Sequence, residues 1–235
     1  MAAAEAAVVV SNAARPLLVS MLRSQSYREL GAVQMLEQAL HFVPPAAQDK
    51  LREQQQEERE HLAAALHLWQ ELTGTPKAAL LEEAKARLNE RPLPPMRTAM
   101  DLAMAQFVFD RAGYFQLRQY VGGSFAPYAA IAAGIVAEEE GHQDEGARAV
   151  VPLALNDPGA AQSAFAMWLR AALLSFGRPG SSGDSEAVAL SLKHQASAAV
   201  MQEFVDSLRP TLMQAGLSLP LPESLQMELP SSLRL

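Results

Sequence analysis

Clusters of proline and glycine cut this chain into uninterrupted stretches of roughly 25 residues, far longer than strands run and well suited to helices. The breakers are Pro44-Pro45, Gly74-Thr75-Pro76, Arg91-Pro92-Leu93-Pro94-Pro95, Gly122-Gly123, Asp157-Pro158-Gly159 and a Gly/Ser loop from Gly177 to Gly183. Between them the sequence predicts helices from Pro16 to His41, Ala46 to Leu72, a short one from Lys77 to Leu88, and Met96 to Val121. A further helix capped by Ser124 is expected to run to Val151, followed by Ala160 to Phe176 and Asp184 to Leu208, the last stopped by Pro210. The proline-punctuated tail from Leu217 to Leu235 reads as extended.

Four long helices, each about 37 Å at a rise of 1.5 Å per residue and joined in pairs by short loops, describe an all-α four-helix bundle. Residues 1–235 read as a single domain, with the bundle over about 16–151 and packed C-terminal helices and tail over 157–235. Composition supports this: 43 alanines in 235 residues, against 6% aromatics, favour closely packed helices. Sustained β-branched alternation is missing, and Val8 to Val10 is too short to seed a sheet.

The net charge of −7 and pI near 5.3 leave no clustered basic surface for nucleic acid. Without cysteine the chain has no disulfide, no thiolate nucleophile and no thiolate metal site, so any metal must rest on carboxylates and imidazoles. Met1 to Val10 is apolar but carries Glu5 and no basic start, a poor signal peptide. No run of about 18 apolar residues suits a membrane span, and a soluble, cytoplasmic protein is expected.

Two of the five histidines follow a glutamate at the third position: Glu58-Arg59-Glu60-His61 and Glu139-Glu140-Gly141-His142. At that spacing both side chains leave one helix face, so a carboxylate and an imidazole reach the same ion, the pattern of di-iron carboxylate bundles. Such a centre also needs one carboxylate from each remaining helix. The candidates are Glu29 or Glu37 on the first and Asp101 or Asp110 on the third.

An internal symmetry selects among them. Glu29 and Glu58 are 29 residues apart, as are Asp110 and Glu139, so climbing one helix and descending the next returns each carboxylate to the level of its Glu-x-x-His partner. At about 100° per residue, Glu29 shares a stripe with Leu18, Leu22, Leu36 and Leu40, whereas Glu37 falls at its edge. Asp110 sits among Ala103, Phe107, Gly113, Tyr114 and Leu117, whereas Asp101 lies at the start of its helix. A carboxylate on a buried face must be neutralised, paired or metal-bound.

Glu57, Glu60, Glu138 and Glu140 read as solvated, with room for one in each cluster to orient a ligand histidine. His41, His67 and His194 lack the spacing, and Met96, Met100 and Met104 read as core. A nucleophile elbow, a phosphate-cradling loop and a strand for a dinucleotide fingerprint are all missing.

The segment Ser124-Phe125-Ala126-Pro127-Tyr128, running into Glu138-Glu139-Glu140-Gly141-His142, resembles the phenylacetic acid catabolic group of ferritin-like di-iron proteins, and within it the catalytic subunits of phenylacetyl-CoA epoxidases. Phe176-Gly177 with its loop, Phe204-Val205-Asp206, Pro210 and Leu217 to Pro222 are similar to that group's region after the bundle, so the likeness covers roughly residues 20–222. Position by position it matches Glu29, Glu58, His61, Asp110, Glu139 and His142 to the metal ligands. Aspartate rather than glutamate at 110 is itself typical of the group.

The resemblance implies two iron ions, with manganese compatible with the same oxygen-rich ligands, and a monooxygenase that epoxidises an aromatic CoA thioester with dioxygen. It further implies a separate reductase for electrons and pairing with a homologous structural subunit or a second copy. Two departures are Arg59-Glu60, where a small pair is usual, and a basic run of the last helix that shrinks to Lys193-His194. The thinned run motivates an alternative: an oxygenase or oxidase acting on a non-CoA substrate. A further alternative is a structural subunit or iron-handling protein on the same bundle.

Overall fold

The computed structural model describes residues 10–235. Met1 to Val9, which hold most of the stretch read as a poor signal peptide and most of the Val8 to Val10 run, lie outside the described residues. Among the described residues the chain is helical without strands, in the order α1 (Ala14–Ala39), α2 (Pro45–Thr73), α3 (Lys77–Glu90), α4 (Ala99–Met104), a π-helical segment (Ala105–Asp110), α5 (Arg111–Arg118), α6 (Ala126–Asn156), α7 (Pro158–Ser175), α8 (Ser182–Ala189) and α9 (Ser197–Ala215). No helix of the described residues is long and apolar enough to cross a membrane.

Two helical hairpins form a ferritin-like bundle. In the first, α1 packs along α2. Pro45 occupies the first turn of α2, where its missing N–H costs nothing. Gly74 ends that helix at φ +72°, a left-handed conformation that lets its N–H reach the Gln70 carbonyl. In the second hairpin, α4, the π segment and α5 run as one rod against α6. The hairpins meet through α2 with α6 and α1 with α4.

The outer helices cover the second hairpin. Trp168 of α7 and Phe204 of α9 are fully buried, Trp168 packing edge-on to Phe109 at 6.2 Å between ring centres and Phe204 to Phe115 at 6.2 Å. Met96 and Met104 are buried in the same cluster, with Met100 packed against it, as core readings require.

Local boundaries differ from expectation in four places. Ser124 does not cap α6: its hydroxyl donates to the Leu190 carbonyl at 2.8 Å and its N–H to Ser191, tying the loop before α6 to the end of α8. Pro152 does not end α6, which continues to Asn156 before Asp157 caps α7 through the Ala160 N–H. The helix expected from Asp184 to Leu208 is two helices, separated where Asp184 accepts from Ser197 N–H, and α9 runs through Pro210 to Ala215. There Leu208, Leu212 and Ala215 are buried on one face, and that packing offsets the roughly 3 kcal/mol of an internal proline. The tail contains a 3₁₀ turn at Pro222–Leu225 that buries Leu225.

The third long helix carries the largest surprise. It starts at Ala99 with Thr98 and Asp101 in a reciprocal capping box, then widens into the π segment that ends on Asp110. Its partner is Gly146 of α6: a Cβ there would lie 2.3 Å from Phe107 N and 2.6 Å from the Gln106 carbonyl carbon. Only glycine lets the α6 backbone approach this closely.

Candidate metal centre

Each half of the bundle contributes a matched set of side chains. From α1 comes Glu29, from α2 Glu58 and His61, from the end of the π segment Asp110, and from α6 Glu139 and His142. Glu29, Glu58, His61, Glu139 and His142 are all buried, and Asp110 is partly buried. Two trios bring one ligand atom per residue within 4.8 Å of one another: Glu29, Glu58 and His61, and Glu58, Glu139 and His142. Glu58 belongs to both and stands between them.

Asp110 lies outside both trios but borders the same space. One cavity is lined by Glu58, Asp110 and His142 together with Ala32, Met35 and Leu36, and a second by Glu29, Glu58, Asp110 and Glu139. The rival candidates lie elsewhere. Glu37 is exposed, and Asp101 is spent on its cap, accepting from Thr98 N at 2.9 Å and Arg97 N at 3.0 Å.

The imidazoles are oriented across the bundle. His61 turns Nδ1 inward, 3.5 Å from Glu58 Oε2 and 3.9 Å from Glu29 Oε2, while its Nε2 pairs with Glu138 of α6 at 2.6 Å. His142 mirrors this, with Nδ1 3.6 Å from Glu139 Oε2 and Nε2 3.0 Å from Glu57 of α2. The residue before each Glu-x-x-His motif therefore fixes the ring on the opposite helix. A carboxylate behind an imidazole sets its tautomer and strengthens it as a ligand.

Electrostatics express the crowding. Burial pushes the Glu58 carboxyl well above the usual range, reinforced by Glu139 and Glu29. Burial does the same to Asp110, with Glu139 adding to it, and it raises Glu29 against the opposing pull of its contact with Glu58. Burial alone would lower His142, but Glu139, Asp110 and Glu57 lift it to about 9. Glu29, Glu58 and Asp110, crowded into one core, hold protons more tightly than free carboxyls do until a cation replaces them.

The donor set fits a pair of divalent ions. Glu58 Oε2, Glu139 Oε2 and His61 Nδ1 are buried with no hydrogen-bond partner among the described residues, the condition of lone pairs kept for a metal rather than for the protein. Carboxylates and imidazoles without thiolates suit iron or manganese.

Three features were not read from sequence. The π segment is one, and π turns concentrate at functional sites. The second is a buried amide pair, Gln106 Nε2 donating to Gln54 Oε1 at 3.2 Å. The third is a relay on α1 in which Arg28 Nη2 donates to Gln25 Oε1 and Gln25 Nε2 donates to Glu29 Oε1. Gln25 and Glu29 are four residues apart, a spacing that could have exposed the relay.

Comparison with known proteins adds one match. A family model described as phenylacetic acid catabolic protein matches residues 29–229. No curated protein matches the chain.

Proposed function

We propose, for a chain that belongs to the phenylacetic acid catabolic protein family, that it is a di-iron oxygenase acting on an aromatic acyl substrate. The observation that carries the reading is the doubled constellation of Glu29, Glu58 and His61 with Glu58, Glu139 and His142, bordered by Asp110, in which Glu58 Oε2, His61 Nδ1 and Glu139 Oε2 are buried with no hydrogen-bond partner among the described residues. Those six residues would hold the two ions, with Glu58 shared between them. The bound pair would supply dioxygen activation and delivery of one oxygen atom to the ring, an epoxidation in the form the family implies.

The chain's own residues do the rest. Glu57 and Glu138 hold the imidazoles of His142 and His61 with Nδ1 turned inward. Met35, Leu36, Met96 and Leu102 wall the cavity beside Glu58, Asp110 and His142 with apolar groups that exclude water from the centre. Electrons come from a separate reductase, since the chain has no cysteine for an iron–sulfur site and no strand, among the described residues, for a dinucleotide fold.

One observation favours a non-CoA substrate over phenylacetyl-CoA. The thinned basic run, Lys193-His194, lies in the loop between α8 and α9 rather than in the last helix, and its lysine is engaged internally. Lys193 is buried and paired with Asp184, and His194 Nε2 meets the Val121 carbonyl at 2.7 Å. Lys193 is therefore not presented to a CoA phosphate, and the exposed His194 is the one group of the run at the surface.

The test is iron stoichiometry on protein made in iron-replete cells, then single-turnover oxygenation with phenylacetyl-CoA and phenylacetate in parallel. Two irons per chain and an oxygenated product that Glu58→Ala abolishes, with helicity retained, support the proposal. Well under one iron per chain with no uptake of added ferrous iron overturns it, and it would leave a structural or iron-independent role. Oxygenation of phenylacetate alone supports the non-CoA reading.

A further inference from the structure

Two arginine or lysine side chains of the described residues are buried, and their surroundings differ. Lys193 has Asp184 and Ser197 as partners. Arg28, only 9% exposed, has the neutral carboxamide of Gln25 on Nη2, while its Nε and Nη1 have no hydrogen-bond partner among the described residues. Glu29, next in sequence, spends Oε1 on Gln25 instead. Tyr128, buried, and Tyr120, half-buried, lie near, with desolvation pushing the Tyr120 phenol up to about 12 and Tyr128 likewise upward, so neither supplies a negative charge.

A guanidinium does not lose its proton, and its desolvation is costly unless an anion meets it. The space for that anion is present. Arg28 lines, with Gly113, Leu117 and the carboxyls of Glu29, Glu58, Asp110 and Glu139, a cavity of about 30 Å³, which is the second cavity of the metal centre, where the ions those carboxyls would hold offset their charge toward an incoming anion. Gly113 leaves the side of Nη1 open, an added Cβ there lying 3.8 Å from it. The cavity shares Ala32, Glu58 and Asp110 with the apolar one walled by Met35 and Leu36.

We propose that Arg28 is an anion-binding residue of this centre, taking the planar carboxylate of an aromatic or short-chain acid through Nε and Nη1. The two free N–H groups form a fork that matches a carboxylate, which a thioester carbonyl, with one oxygen and no charge, does not. The assignment deepens the oxygenase reading by naming a free acid as the substrate class. It rests on that reading for the chemistry and shares its cavity with the metal ligands Glu29, Glu58, Asp110 and Glu139, while the fork that meets the carboxylate is that of Arg28.

The experiment is calorimetric titration of the full-length protein as isolated, under nitrogen, with sodium formate and with phenylacetate, iron stoichiometry being measured on the same samples. Arg28→Gln is expected to weaken both ligands at least tenfold while iron content stays at the wild-type value. Arg28→Lys, which keeps the charge and loses the fork, should fall between them. Gly113→Ala, which leaves Arg28 in place and narrows its open side, covers the case in which Arg28→Gln does not fold, and it should weaken phenylacetate more than formate. Equal binding by wild type, Arg28→Gln and Gly113→Ala overturns the proposal. Binding of formate without phenylacetate supports the anion site and overturns its assignment to the substrate. Carboxylate binding in a protein that takes up no iron sinks the oxygenase reading while leaving Arg28 as assigned; iron uptake without carboxylate binding does the reverse.

Discussion

Replacing Gly146 with alanine should destabilise the protein, although it places the best helix former inside a helix. In an exposed helix interior, Gly→Ala stabilises by about 0.5–1 kcal/mol. At Gly146 the new methyl would sit 2.3 Å from Phe107 N and 2.6 Å from the Gln106 carbonyl carbon. These are backbone atoms of the π segment, so relief requires the two helices to part by about 1 Å rather than a side chain to rotate. Overpacking of this kind costs about 1–3 kcal/mol, and separating the hairpin also loosens contacts along the seam, so a net loss of about 1–3 kcal/mol follows. For a chain of this size that is a drop in Tm of roughly 2–4 °C per kcal/mol. Gly134, in the same helix with nothing within 4 Å of its added Cβ, is the control and should gain stability on substitution by alanine. Urea melts followed by circular dichroism, with iron content measured beside them, decide the matter. Gly146→Ala should lose both stability and iron, because Asp110 is carried by the segment that must move. If Gly146→Ala is as stable as Gly134→Ala, the close approach of α6 to the π segment is wrong.

Three further outcomes follow from the site. Glu29, Glu58 and Asp110 are raised by burial and by one another, so in metal-free protein each contributes stability present below its unfolded pKa and lost as pH rises through its folded value. Glu58→Gln should therefore bind little metal yet be more stable than metal-free wild type at pH 8, the gap closing toward pH 4; denaturant melts that show no pH-dependent gap refute the crowding. Glu57→Ala and Glu138→Ala remove the partners of His142 and His61 and should weaken iron binding by about 10–100-fold without abolishing it, as competition with a chelator would report. Asp101→Ala breaks a capping box and should cost about 1 kcal/mol with unchanged iron content, whereas Asp110→Ala should reduce iron; equal iron content in the two would undo the choice of Asp110.

The bundle was legible because its signals are local and redundant. Breakers mark the ends of the long bundle helices, and an error of a few residues at Pro152 or Pro210 leaves the packing of the hairpins intact. The meeting of Glu29 with Glu58, and the level of Asp110 along its helix, were legible for a different reason: equal chain separations across two hairpins are a global constraint that survives small boundary errors. The splitting of the expected Asp184–Leu208 helix was not legible, because it depends on Asp184 reaching Lys193 and Ser197, a contact that competes with helix hydrogen bonds only once the loop is folded.

The π segment shows why the remainder of the site could not be read. A straight α-helix through Ala105–Asp110 carries the same residues with the same apolar stripe, so periodicity does not distinguish it from one with an extra residue per turn. What distinguishes them is Gly146 on another helix, 36 residues beyond Asp110 in the sequence, whose missing Cβ admits the widened backbone. The wider turn also changes the angle between Phe107 and Asp110, so the symmetry that located Asp110 along the helix axis does not fix where its carboxyl points. That leaves Asp110 at the border of two cavities, one of which it lines with Glu139, rather than inside either trio. Metal binding should therefore be felt at Phe107 and Gly146 as well as at the ligands: amide hydrogen exchange across residues 105–110 and 143–147 should slow on iron loading, and an unchanged rate there would show that the π segment is a packing feature unconnected to the ions.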